Sequence, residues 1–188
     1  MKGIPAATVR KVDHTPELEK AIRAFKSIEV LVGIPEGDAH QGVQVSNAKL
    51  GYIHEKGSPA SNIPPRPFLV PGVQKSEKRI ESGLRSALKD ALSGDVAGGE
   101  ARLEALGLQV AAGVKKYMST ADFEPLKPST IANRNRSRST KTKRVNEKRF
   151  IKRGGKLVPN PKFGVGIKPL INTGALRNSI DSFVVKGK

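Results

Sequence analysis

The sequence predicts an α+β fold, with a small, mostly antiparallel sheet packed on two long helices and a long basic loop or arm at about residues 133–168. Three observations carry this. Two stretches, from Ser76 to Leu92 and from Leu103 to Tyr117, repeat apolar residues at helical spacing. Two short branched runs, Ile28 to Ile34 and Ile180 to Val185, lie near opposite ends of the chain and suit strands. Between residues 133 and 156, eleven Lys or Arg face a single acid, Glu147, a net +10 that leaves +7 of the total +17 for the other 164 residues.

The elements follow in order. Thr15 can cap a first helix, Pro16 suits its first position, and Glu17 and Glu19 favour the positive end of its dipole. Leu18, Ile22 and Phe25 would form its apolar face. The buried strand Ile28 to Ile34 then enters a turn at Pro35-Glu36-Gly37. Residues 47–56 read as a short helix capped by Ser46 or Asn47, with Gly57 as its left-handed C-terminal residue. The stretch SPASNIPPRPF holds four prolines in eleven residues and reads as a stiff, extended connector. Two longer helices come next. Ile80, Leu84, Leu88 and Leu92 step by four; after a break at Gly94 to Gly99, Leu103, Leu106, Val110, Val114 and Tyr117 step by three and four. No internal repeat is visible. With 188 residues, 37% of them apolar, the chain is sized for one domain, residues 1–188, with the basic segment inserted in it.

Composition narrows function. With no Cys, disulfides, thiolate catalysis and thiol-containing metal sites are excluded. No apolar run approaches the ~18 residues of a membrane span, and the start lacks the apolar stretch of a secretory signal, so a soluble cytosolic chain without a membrane partner is expected. His14, His40 and His54 are too far apart for a helical metal site, and His54-Glu55 lacks the second His of a zincin. Neither Gly154-Gly155-Lys156 nor Gly164-Val165-Gly166 completes a phosphate or dinucleotide loop, and no Gly-x-Ser-x-Gly elbow occurs. The expectation is a protein that is not an enzyme, with no cofactor, metal or small-molecule substrate, although scattered carboxylates could converge in space.

The cations Arg134, Arg136, Arg138, Lys141, Lys143, Arg144, Lys148, Arg149, Lys152, Arg153 and Lys156 are candidate contacts for a polyanion or an acidic partner. Non-specific nucleic-acid contact is one reading, ordering against an acidic subunit a second, and a solvated loop a third. Phe150 is the segment's one aromatic, whereas single-strand binders interleave several.

The passages LVGIPEG and NAKLGYIHEKGSPASNIPPRPFLVPGV resemble the neck and tail-completion proteins of long-tailed bacteriophages, a virion morphogenesis family. A typical member has a helix, then His-Glu-x-Gly and Ile-Pro-x-Arg-Pro-Phe, matched by His54, Glu55 and Gly57 and by Ile63, Pro64, Arg66, Pro67 and Phe68. A second pattern, Leu-x-Pro-Ser-Thr-Ile and then Pro-Leu-Ile-x-Thr-Gly-x-Leu-Arg-x-Ser-Ile, is matched by Leu126 to Ile131 and Pro169 to Ile180. The likeness spans roughly residues 28 to 185 except the basic excursion, which is an expanded loop beside shorter relatives.

The resemblance implies a virion subunit, made in the host cytoplasm, that forms a ring, usually of six, at the head–tail junction. Its partners would be further copies of itself, other neck, connector and tail-tube proteins, and genomic DNA in the channel. A tail-terminator ring is the alternative role. Ile63, Pro64, Arg66, Pro67 and Phe68 would then contact a neighbour, or else the segment crosses its own domain and buries Phe68 there. Thr173 to Arg177 would either cap a helical turn that pins the last strand or place Arg177 at a subunit contact.

Overall fold

The computed structural model describes residues 15–37, 45–136, 150–153, 156–160 and 167–187. Along them run α1 (Thr15–Lys26), β1 (Ile28–Gly33), α2 (Asn47–Lys56), a 3-10 turn (Pro59–Ser61), α3 (Leu69–Gln74), α4 (Glu77–Leu92), α5 (Val96–Thr120), α6 (Pro128–Arg136), β2 (Phe150–Arg153), β3 (Lys156–Pro159), α7 (Ala175–Asn178) and β4 (Asp181–Lys186). The α+β class holds. Strand β1 pairs with β4, and β2 pairs with β3. Beyond the first pair, the Gly187 N–H donates to the Ser27 carbonyl at 2.6 Å, which brings the start of β1 to the end of β4 as in an antiparallel ladder.

The sequence reads as one domain, and packing divides its described residues into two units. The first comprises 15–31, 78–107 and 183–187. Its interior is small-residue packing: Ala21, Ala87, Ala91, Leu103 and Leu106 are buried. A Cβ on Gly99 would stand 2.7 Å from both the Ala87 carbonyl oxygen and the Phe25 ring. This glycine marks a close approach of backbones, and the expected break at Gly94 to Gly99 is correspondingly short. Helix α5 starts at Val96 because the Asp95 carboxylate accepts from the Gly98 N–H at 2.8 Å, capping the helix before the glycines. Asp90 pairs with Arg102, and Lys186 reaches Glu100 at 2.6 Å, linking β4 to α5.

The apolar faces differ from those expected in this unit. The leucines of α4 are exposed (Leu84 48%, Leu88 41%, Leu92 44%), while its alanines 87 and 91 are buried. On α1, Ala21 is buried and Leu18 and Ile22 are exposed. Periodicity finds an apolar stripe but cannot tell that alanines beside it make the closer helix contact.

The second unit comprises 32–37, 45–77, 108–136, 150–153, 156–160 and 167–182. Its core is Phe68, Ala111, Val114, Met118, Leu170, Leu176 and Ile180, flanked by Val32, Ile34, Leu50, Leu69, Val73 and Phe123. Gly72 lets α3 lie against α5: its Cβ would meet Val114 Cα at 3.0 Å. Tyr117 stacks edge-on to Phe123 at 6.0 Å, with the Lys75 ammonium 4.7 Å from its ring centre.

Part of the segment read as a basic loop or arm is described. Within the segment read as a loop, Phe150–Arg153 and Lys156–Pro159 form an antiparallel hairpin in the register Phe150↔Pro159, Ile151↔Val158, Lys152↔Leu157, Arg153↔Lys156. The paired runs mix apolar residues with cations. Charge density concealed that pattern. The same segment begins inside α6, which extends to Arg136.

Candidate functional site

The first family-like block folds back on itself. Helix α2 is capped by Ser46, whose hydroxyl accepts from the Lys49 N–H at 3.2 Å, and closes at Gly57, with φ 78°, whose N–H donates to the Ile53 carbonyl at 2.7 Å. Ser58 and Ile63 then exchange two backbone hydrogen bonds of 2.9 Å around the 3-10 turn, so this half of the expected extended connector is a closed loop. The chain returns beside α2: the Arg66 N–H donates to the His54 carbonyl at 2.7 Å.

That return brings Glu55 to the start of α3. Its carboxylate accepts the N–H groups of Phe68 at 2.7 Å, Leu69 at 2.9 Å and Val70 at 3.2 Å. These are donors that a helix start leaves unsatisfied, and the negative charge complements the helix dipole. Arg66 does the corresponding work for carbonyls. Its guanidinium donates to Glu124 O at 2.7 Å and Pro125 O at 3.1 Å, fastening the residues after α5. Arg66 is 5% exposed and Phe68 1%. Of the two readings of this segment, the structure places these two residues inside their own unit. Ile63 and Pro64 are half-buried, and Pro67 is exposed.

The second block forms a turn on the same core. Leu170 at φ 62° and Gly174 at φ 87° reverse the chain, and the Ala175 N–H donates to the Thr173 hydroxyl at 3.3 Å. Leu176 and Ile180 then enter the core. From α6, Arg134 donates to the carbonyls of Lys168 at 2.8 Å and Ile171 at 3.2 Å. One of the eleven candidate cations is thereby a brace for this turn. Arg177 is half-buried, and its Nε is enclosed without a hydrogen-bond partner among the described residues.

A pocket of about 190 Å³ lies where the two blocks meet, lined by Leu50, His54, Arg134, Leu170 and residues 172–176. Burial, then the charges of Arg66 and Arg134, hold His54 below its ordinary value of 6.5, and its Nδ1 is enclosed without a hydrogen-bond partner among the described residues. The lining contains an imidazole, a guanidinium, an amide and a hydroxyl, with no carboxylate beside the imidazole. Among the described residues no three His, Asp or Glu gather where they could hold a metal ion.

The basic segment divides. Arg138, Lys141, Lys143, Arg144, Lys148 and Arg149 lie outside the described residues, as do His14 and His40, and Arg136 is described only as the last residue of α6. Lys152, Arg153 and Lys156 are exposed on the β2–β3 hairpin. Sequence reasoning missed the Glu55 clamp. Its only signal was a carboxylate two residues before a helix-ending glycine, followed by a proline-rich return.

Comparison of the chain with protein families, with curated proteins and with solved structures returns no match. No helix among the described residues is long and apolar enough to cross a membrane.

Proposed function

We propose that this chain is a structural subunit of the neck of a long-tailed phage, assembling as a ring that joins the tail to the DNA-filled head. One observation carries the reading. The two sequence blocks that resemble the neck family, far apart in the chain, meet in one core, where Phe68 and Leu176 both pack beside Gly51. A Cβ at Gly51 would sit 3.8 Å from the Phe68 ring and 3.7 Å from Leu176. Phe68, Leu170, Leu176 and Ile180, four of the matched residues, belong to this core, which supports reading the resemblance as one of fold.

The mechanism is assembly. With Phe68 and Arg66 engaged inside the subunit, ring contacts fall to surfaces the chain leaves open. Leu31 on β1 and Phe183 and Val185 on β4 are exposed, and alternation along each strand puts them opposite the half-buried Val30 and Val184. A two-stranded ribbon is marginal alone in water, and covering an apolar face is favourable by about 25 cal/mol per Å². A second copy of the chain is the occupant assigned to this face. Gold-labelled antibody against the chain should decorate purified virions at the head–tail junction. Labelling along the tail shaft or over the capsid would contradict the reading.

A further inference from the structure

We propose that the β2–β3 hairpin is a binding element for the phosphate backbone of duplex DNA. The hairpin ends in the pairs Lys152↔Leu157 and Arg153↔Lys156, joined by Gly154-Gly155, so three of the four residues next to the link are cations. All three are exposed, and none makes an ion pair with a described carboxylate. No acid occurs between residues 148 and 180. Among the described residues, this end of the hairpin is therefore positive charge without an ion-pair partner, carried on paired strands.

The arrangement discriminates between anionic partners. Side chains alternate across a strand, so Lys152 lies on one face of the ribbon, and Arg153 with its cross-strand partner Lys156 lies on the other. A flat acidic protein surface would engage one face and leave the other charged and unpaired. A groove with phosphates on both walls engages both. The major groove of B-DNA, ~12 Å wide, admits a two-stranded ribbon. Contact of this kind reads charge and shape, not sequence.

Arg134 is not part of this element, because its guanidinium braces the 168–171 turn. The proposal does not depend on ring formation, since an isolated subunit carries the whole hairpin.

The test uses the full chain and a fluorescent mixed-sequence duplex, with anisotropy followed from 50 to 200 mM KCl. Three phosphate contacts contribute about 3 × 0.9, or ~2.7, to the slope of log affinity against log salt. The variant K152Q/R153Q/K156Q should lose about that much slope. Its affinity should then fall ~40-fold less than the wild type's over the fourfold salt range. A shuffled duplex should behave identically, and K78Q/R79Q/K89Q, which removes three exposed cations from α4, should keep the wild-type slope. An unchanged slope in the hairpin variant, or equal losses in both triple variants, would overturn the proposal. So would poly-glutamate binding as tightly as DNA with the same dependence on the three residues, which would put an acidic protein in place of DNA.

Discussion

The Glu55 carboxylate binds the backbone N–H of Phe68 at 2.7 Å, so the residue that ends one helix turn of α2 also starts α3 and sets the depth of the core phenylalanine. The same carboxylate takes the next two N–H groups. Glu55→Ala should destabilise the fold by about 2–3 kcal/mol, the scale of losing charge-assisted bonds to otherwise unsatisfied donors. Glu55→Gln keeps one acceptor and should cost less than Ala. Urea unfolding of both variants checks the order; equal stability of Glu55→Ala and wild type would refute the clamp.

Phe68 and Arg66 are expected to behave as core residues. Phe68→Ala should cost about 3–5 kcal/mol in the isolated subunit, the usual range for a buried phenylalanine. Arg66→Lys should also lower stability, because an ammonium cannot place two donors on the Glu124 and Pro125 carbonyls as the planar fork does. Thermal melts of the dilute subunit, where no neighbour contributes, separate this from an interface role. An unchanged melt for both variants would return these residues to the subunit surface.

His54 gives the unit a pH dependence of definite sign. Its folded-state value lies below 6.5, so between the two values the unfolded chain binds more protons. Stability is full where both states hold a neutral imidazole, and it declines as pH falls through 6.5 toward the lowered value. The decline is at most ~1.4 kcal/mol per pH unit for one proton. Urea midpoints from about pH 7.5 to about pH 5.5 should fall, and His54→Gln should flatten the dependence. Midpoints that rise on acidification in the wild type but not in the variant would reverse the assignment.

The exposed sheet face supplies an assembly prediction. Leu31→Glu with Phe183→Glu should change the stability of the dilute subunit by no more than an ordinary surface substitution does, about 0.5 kcal/mol. If the proposed ring contact is right, the wild type should self-associate at high concentration and the same variant should not. Sedimentation across a concentration series reads both. Identical oligomerisation would move the contact elsewhere, with the α4 leucines the next surface to change.

Much of the fold was legible because its signals are local. Ser46 and Gly57 bound α2 as their chemistry requires, and Thr15 and Pro16 open α1. Side-chain burial was less legible. Leu84, Leu88 and Leu92 look like a core stripe, yet whether a stripe is covered depends on a partner that a periodic pattern does not name. The hairpin at Phe150 to Pro159 was hidden by its own cations, whose alternation with Ile151, Leu157 and Val158 is too short to stand out. Arg66, Glu55 and Arg134 illustrate a third limit. Each is a charged residue whose main partners are backbone groups brought close only by the fold, up to 59 residues away for Arg66 and Pro125. No residue-type pattern announces such a bond, so charge near a family-like motif looks like a surface contact when it is an internal fastening.

The proposed joining role at the neck stands or falls on electron microscopy of a lysate from phage lacking the gene for this chain. DNA-filled heads beside separate tails of normal length are expected. Tails of irregular length would assign termination instead, and intact infectious particles would contradict the neck role altogether.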